Sequence, residues 1–131
     1  DGFKMLTINV IVVLLFLHWF ADFVFQSRWM AENKSKNPVA LFSHVSVYSL
    51  IMFVGLINPW FTFADQIKGE GLLWFVGVNF ALHFATDLIT SQVTTYFWKK
   101  GDTHKFFATI GFDQFVHQLC LIVTAKAYLL P

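Results

Sequence analysis

The sequence contains little charge, since Asp, Glu, Lys and Arg together make up 13% of its 131 residues. A soluble domain of ordinary composition has about 25%, so this chain lacks the polar surface that a water-soluble fold requires. It has one cysteine, Cys120, which excludes an intrachain disulfide. The net charge is only +1, and basic residues do not cluster with interleaved aromatic residues. The sequence therefore gives no indication of nucleic-acid binding.

Hydrophobic residues, in contrast, make up 56% of the chain and aromatic residues 19%. Four apolar runs reach the length of about 20 residues with which a helix crosses a bilayer core. They predict helices at approximately 5–26, 39–57, 72–98 and 105–130. Asn37-Pro38 is a typical helix start, and Gly69-Glu70-Gly71 predicts a turn before the third helix. We expect an all-α, integral membrane four-helix bundle that forms a single domain in the lipid bilayer.

The basic residues predict an orientation for this bundle. The first and third connections contain Arg28, Lys34, Lys36, Lys99, Lys100 and Lys105, whereas Lys4, Lys68 and Lys126 belong to the other side. Connections rich in Lys and Arg stay in the cytoplasm. We therefore expect loops 1 and 3 to be cytoplasmic, in what is most simply a bacterial inner membrane.

Each predicted helix also carries polar residues at helical spacing. In the first helix His18, Asp22 and Gln26 are four residues apart, which places them on one face. The corresponding residues of the later helices are His44 and Tyr48, then Asn79, His83, Asp87 and Ser91, and finally Asp113, Gln114 and His117. Most of these positions fall toward the ends joined by loops 1 and 3. The pattern predicts one shared site inside the bundle.

A short internal similarity relates the first and third helices. Residues 17–22 read Leu-His-Trp-Phe-Ala-Asp and residues 82–87 read Leu-His-Phe-Ala-Thr-Asp. Each helix is followed by a basic connection and another helix that contains histidine. This arrangement is typical of a duplicated helical hairpin with both copies in the same direction.

The acidic residues in these helices require a compensating interaction. Each Asp at the centre of a membrane helix costs about 2.5–3.5 kcal/mol, so three cost roughly 8–10 kcal/mol. An interhelical hydrogen bond contributes only about 0.6 kcal/mol. Imidazole and carboxylate groups are ligands of divalent metals, above all zinc. We therefore expect a divalent metal ion, with zinc as the first candidate.

The ligands that we expect are His18, His44, His83, Asp87 and His117. Asp22 and Asp113 are the candidates for a catalytic general base or an orienting group, and Gln26, Tyr48 and Gln114 for hydrogen-bonding partners around the metal. Two other interpretations of the same residues remain open. One is a metal-free pathway for protons or a substrate, and the other is a purely structural hydrogen-bond network.

Several of these motifs resemble a known family. The pattern Leu-x-x-His-x-x-x-Asp-Phe-x-x-Gln at residues 15–26, the run 29–34, and the later His83-x-x-x-Asp87 and Asp113-Gln114-x-x-His117 are similar to domain of unknown function 3307. The resemblance implies a small bacterial or phage membrane protein and no particular activity. The use of His and Asp also resembles that of membrane-bound metal-dependent hydrolases.

These observations favour a membrane-embedded, metal-dependent hydrolase that acts on a lipid or another amphiphilic ester. Two alternatives belong to other functional classes. A transport protein for protons or metal ions would need a homo-oligomer, because four helices are few for a complete transporter. An accessory subunit would use its 17 phenylalanines to pack within a larger membrane complex.

Overall fold

Side-chain caps set the start of most helices in the computed structural model, which describes residues 5–60, 67 and 69–130. Thr7, Ser27, Asn37 and Asp102 each accept a hydrogen bond from a backbone N–H in the first turn of the following helix. The helices are α1 (Ile8–Trp19), α2 (Arg28–Asn33), α3 (Pro38–Leu56), α4 (Gly69–Lys99) and α5 (Thr103–Thr124). The expected helix start at Asn37-Pro38 is confirmed.

Two of these helices continue into π-helical turns. Phe20–Val24 follows α1, and Ala125–Leu129 follows α5. A π turn contains an extra residue, and such turns are frequent at functional sites; the first of them carries Asp22. Because this helix ends at Val24, Gln26 lies in a bend beyond it. The prediction that Gln26 continues the helical face of His18 and Asp22 is therefore wrong.

The four long helices form a closed bundle. α1 packs against α3 and α5, α3 packs against α4, and α4 packs against α5. The short helix α2 lies in the first connection and packs against α3. The expected all-α four-helix bundle is thus confirmed, whereas α2 falls in a segment that its polar composition marked only as a loop.

The bundle has polar residues inside and apolar residues outside. Histidine and aspartate side chains are buried in its interior, while large apolar side chains such as Ile8, Phe42, Leu73 and Phe112 are exposed. Three helices, Pro38–Leu56, Gly69–Lys99 and Thr103–Leu129, are long and apolar enough to cross a membrane, and Ile8–Val24 is a shorter apolar helix. A surface of this kind is typical of a membrane protein.

An apolar core fills only one half of the bundle. Its members are Val10, Leu14, Leu17, Ala21, Tyr48, Met52, Leu56, Leu72, Phe75, Leu121, Ala125 and Leu129. They come mainly from the start of α1 and α4 and from the ends of α3 and α5, which lie opposite the first and third connections. The buried acids and histidines occupy the other half, next to those connections, while a hydrogen-bonded pair, Asn79 and Thr124, lies beside the apolar core.

Gly71 lies inside α4, so the predicted turn at Gly69-Glu70-Gly71 is wrong. A β-carbon at this position would collide with the backbone carbonyl of Tyr128 in the π turn after α5. The glycine therefore permits a close approach of two helices rather than a chain reversal. Gly77, two turns later in the same helix, has open space around its α-carbon.

We expect Gly71→Ala to destabilise the protein by about 1–3 kcal/mol, the usual cost of forcing a side chain into a packed contact. The measurement is thermal unfolding in detergent. Gly77→Ala is the matched control and should be neutral or slightly stabilising, because it adds a methyl group to open space in the same helix. Equal unfolding temperatures for the two variants would contradict the close packing at Gly71.

Candidate metal centre

Four side chains from three helical segments direct potential ligand atoms at one point. Asp22 comes from the π turn after α1, His44 from α3, and His83 and Asp87 from α4. All four are buried, and one potential ligand atom from each lies within 4.8 Å of the others. The four-residue spacing of His83 and Asp87 places both on the same face of α4.

The separations between these atoms fit a tetrahedral metal site. His44 Nε2 lies 3.0 Å from Asp22 Oδ1, 3.2 Å from Asp87 Oδ2 and 3.2 Å from His83 Nε2. His83 Nε2 lies 3.5 Å from each of the same two carboxylate oxygens. Tetrahedral zinc with nitrogen and oxygen ligands at 2.0–2.2 Å implies ligand separations of about 3.4 Å. Five of the six edges of such a tetrahedron are thus present.

Hydrogen bonding alone accounts poorly for this arrangement. Among the described residues, no donor is well aligned with Asp22 Oδ1, although His44 Nε2 is 3.0 Å away. One imidazole N–H of His44 also cannot point at Asp22, Asp87 and His83 together. The four groups could therefore hold a metal ion between them.

A second group of potential ligands adjoins the first and shares Asp22 with it. Asp22, Asp113 and His117 are buried, and one ligand atom from each lies within 4.8 Å of the others. His117 Nε2 is 3.3 Å from Asp113 Oδ1 and 2.9 Å from Asp87 Oδ1. The two oxygens of Asp87 therefore face different groups. Carboxylates shared in this way are suited to a site with two metal ions.

A directed chain of hydrogen bonds fixes the carboxylates. The Gln114 side-chain N–H₂ donates to Asp22 Oδ2 at 2.9 Å and to Asp113 Oδ2 at 3.1 Å. Its carbonyl oxygen then accepts from His18 Nε2 at 2.6 Å, which leaves His18 Nδ1 to accept from the Tyr48 hydroxyl at 3.0 Å. The direction follows because a carboxylate only accepts hydrogen bonds.

Lys34 adds a positive charge at the edge of the first group. It follows α2 directly, and its Nζ donates to Asp87 Oδ2 at 2.8 Å. Burial by itself lowers the pKa of the Lys34 ammonium, but the charges of Asp87 and Asp22 and the hydrogen bond to Asp87 outweigh this effect. The pKa is therefore raised above its usual value, and Lys34 stays protonated.

A cavity of about 530 Å³ opens beside the second group. Asp22, Asp113 and Gln114 lie in its wall, together with residues of the first connection and of the junction between α4 and α5. The cavity therefore joins the buried carboxylates to the end of the bundle that carries loops 1 and 3. The four-ligand group lies mostly behind this wall, since only its Asp22 lines the cavity.

With this geometry established, comparison with known proteins gives one family. Residues 10–131 match the family described as Protein of unknown function (DUF3307). The chain belongs to this family. No curated protein and no solved structure gives a significant match to the sequence. Since the description of DUF3307 states no activity, the function has to be argued from the site itself.

Most residues singled out in the sequence of this DUF3307 protein come together in the structure. Of the expected metal ligands, His44, His83 and Asp87 lie in the first group and His117 in the second. His18 lies in neither group, since both of its ring nitrogens face hydrogen-bonding partners. The two candidate catalytic residues, Asp22 and Asp113, are themselves potential ligands.

The three residues expected around the metal have different positions. Tyr48 and Gln114 belong to the hydrogen-bond chain. The Gln26 carbonyl oxygen is buried without a hydrogen-bond partner among the described residues, and Gln26 lines the cavity. Two site residues escaped the sequence reasoning. Thr90 donates to Asp113 Oδ1 at 2.5 Å. Its position three residues after Asp87 would have placed it on the same helical face. For Lys34 the sequence showed only a positive charge in the first connection.

Lys34→Gln should destabilise the metal-free protein by about 3 kcal/mol or more, because breaking a buried ion pair leaves Asp87 uncompensated. The measurement is thermal unfolding in detergent with a chelator present. Lys36→Gln is the control, since this exposed lysine lies two residues later in the same loop. Equal unfolding temperatures for the two variants would show that the ion pair with Asp87 does not contribute.

Proposed function

We propose that this DUF3307 protein is a membrane-embedded, metal-dependent hydrolase. The observation that carries the proposal is the convergence of Asp22, His44, His83 and Asp87, whose ligand atoms are separated by the edges of a tetrahedron. Two carboxylates that share one buried space repel each other, and a divalent cation removes that repulsion. Zinc suits the mixed nitrogen and oxygen ligands best.

The two groups are suited to different roles. The first offers four protein ligands, which is the closed arrangement of a structural zinc site. The second offers three, Asp22, Asp113 and His117, and two of these line the cavity. Three protein ligands with an open position are typical of catalytic zinc. Asp22, Asp113 and His117 would hold a divalent ion at such a position, and the ion would supply an activated water as the nucleophile for hydrolysis.

The surrounding side chains support this role. Gln114 holds Asp22 and Asp113 in a fixed orientation, and His18 in turn holds Gln114. Such partners of metal ligands set the orientation and basicity of the ligands. We therefore place His18, Tyr48 and Gln114 as positioning residues. Asp113 borders both the second group and the cavity, so it would act either as the third ligand or, with Asp22 and His117 alone holding the ion, as the general base.

Access from one side favours an enzyme over a transport path. The cavity opens at the end of the bundle that carries loops 1 and 3, while the apolar core fills the opposite half. Among the described residues the buried acids and histidines lie only toward the open end, whereas a path for protons or metal ions would require such residues through both halves. By the distribution of basic residues we place the open end on the cytoplasmic side of a bacterial inner membrane; Lys4 and Lys68, which enter that count, lie outside the described residues.

Metal content gives the first test of this proposal. We expect the purified protein to contain about one or two equivalents of zinc or a similar divalent ion by elemental analysis. His83→Ala should lose at least one equivalent, because it removes one ligand of the four-residue group. His104→Ala is the matched control, since this histidine is exposed at the start of α5, and it should keep the metal content of the wild type.

A wild-type protein without metal above background would refute the metal centre. If the folded His83→Ala variant were then less stable than the wild type, a purely structural network would be the better explanation. Monodisperse elution in detergent is the check that each variant is folded.

Activity gives the second test. The metal-loaded protein should hydrolyse at least one member of a panel of carboxylic and phosphoric esters of long-chain alcohols in mixed micelles. Asp113→Asn should lower the rate about 100-fold or more, the usual loss when a general base or a ligand of the catalytic ion is removed. Glu32→Gln removes a negative charge from the same cavity wall without touching either ligand group, so its rate should stay near the wild-type value. Metal-loaded protein with no hydrolysis above the Asp113→Asn background would contradict the enzymatic role.

A further inference from the structure

The cavity wall contains polar atoms that no protein group satisfies. Ser91 and Gln26 both line the cavity, and the Ser91 hydroxyl and the Gln26 side-chain carbonyl are buried without a hydrogen-bond partner among the described residues. Ser91 is only 6% exposed. A buried polar group that is left without a hydrogen bond destabilises the structure. A ligand that both accepts and donates hydrogen bonds would remove this cost, because a hydroxyl can donate whereas a carbonyl only accepts.

The charges around the cavity favour an anion once a metal is bound. Asp22, Asp87 and Asp113 carry three negative charges, and Lys34 carries one positive charge. A single divalent ion therefore makes this group of side chains neutral. Glu32, at the cavity wall, is paired with Arg28 at 2.7 Å.

Two further lysines, Lys36 and Lys99, also line the cavity. They are exposed at its rim, where Lys36 lies between α2 and α3 and Lys99 is the last residue of α4. Neither has a salt bridge to a described residue within 4 Å. With the metal centre neutral, their positive charge sets the sign of the ligand that fits: an anion held between Lys36 and Lys99 at the rim and Ser91 deeper in the wall.

Another part of the wall is apolar and partly faces the surroundings of the bundle. Phe23, Trp98, Phe106 and Ile110 belong to it, and Phe23 and Trp98 are 48% and 62% exposed. Aromatic side chains in these positions are typical of the interface between lipid chains and water. The volume of about 530 Å³ exceeds what a free phosphate needs and lies in the usual range of sites for larger ligands, about 300–1,000 Å³.

From these observations we infer that the cavity binds the head group of an anionic phospholipid, a phosphate ester that also carries a free hydroxyl. The phosphate lies between Lys36, Lys99 and the Ser91 hydroxyl, and the hydroxyl of the head group donates to the Gln26 carbonyl. The acyl chains leave past Phe23 and Trp98 into the membrane. This inference rests on the proposed function, because without a metal ion Asp22 and Asp113 would repel the phosphate.

Lipid retention measured by native mass spectrometry tests the inference. The metal-loaded protein is taken from mixed micelles that contain equal amounts of phosphatidylglycerol and phosphatidylcholine. We expect phosphatidylglycerol to be retained at least fivefold more than phosphatidylcholine. The double variant Lys36→Gln/Lys99→Gln should lower that retention about tenfold or more, because each cation near an anionic lipid contributes strongly, and Ser91→Ala should lower it severalfold.

The matched control is Lys100→Gln/Lys105→Gln, which removes the same amount of charge at the junction between α4 and α5. These lysines lie over the rings of Tyr96 and Phe97 and not in the cavity wall, so retention should stay at the wild-type level. An equal loss of phosphatidylglycerol retention in both double variants would show that only the general surface charge matters, and this would overturn the inference. If free glycerol phosphate competed as strongly as the lipid, the acyl chains would not contribute to binding, and the assignment to a lipid would be overturned.

The metal content of each variant separates this inference from the proposed function. None of the substituted residues belongs to either ligand group, so all variants should carry the wild-type amount of metal. Metal-loaded protein that shows no preference for phosphatidylglycerol would refute lipid binding and leave the metal centre standing. Absence of metal in every preparation would refute the metal centre. If the metal-free protein still retained phosphatidylglycerol to the same extent, the claim that a metal ion must neutralise the carboxylates before an anion binds would be refuted.

Discussion

The side chains of Asp22 and Asp87 approach the same two imidazole nitrogens inside the bundle, and the rest of the structure depends on this contact. Two carboxylates in one buried space are strongly unfavourable unless positive charge accompanies them. Lys34 supplies one charge from the end of α2, at 2.8 Å from Asp87. The carboxylates still require further positive charge or hydrogen-bond donors, and this requirement explains why histidines from several helices meet there. It also makes a divalent ion the simplest occupant, since one ion satisfies several ligands at once.

The division of the bundle into two halves follows from the same constraint. Polar groups cluster where loops 1 and 3 give access from outside, and the apolar core closes the opposite end. Close packing at that end depends on Gly71, where the backbone of α4 meets the carbonyl of Tyr128. A rigid closed end suits a site whose ligands must hold fixed positions, because loosely packed helices would let the carboxylates separate. The cavity then connects the buried carboxylates to the basic end of the bundle.

Much of the site was predictable because helical periodicity is a local property. The four-residue spacing of His83 and Asp87, and of Asp113 and His117, places each pair on one face without any knowledge of neighbouring helices. The same reasoning failed at Gln26, since a π turn after α1 ends the helix earlier than a regular continuation would. It also gave His18 the same role as His83, although only His83 reaches the four-residue group. The duplicated hairpin remains a prediction. In each predicted copy, the histidine of the second helix contacts the aspartate of the first: His44 Nε2 lies 3.0 Å from Asp22 Oδ1, and His117 Nε2 lies 2.9 Å from Asp87 Oδ1.

By itself the sequence determined the number of long helices, their apolar surfaces and the faces on which polar residues lie, because these follow from composition and from a repeat of 3.6 residues. It also indicated that acids and histidines share the interior, since a buried carboxylate in so apolar a chain requires polar or charged partners. Only the tertiary structure decided which of them meet. Whether an imidazole reaches a metal position or a hydrogen-bonding partner depends on shifts of a few ångströms between helices, as His18 illustrates. The contact of Lys34 with Asp87 and the cavity beside Asp113 likewise depend on how α2 and α5 pack. The spacing of residues along one helix does not determine this packing.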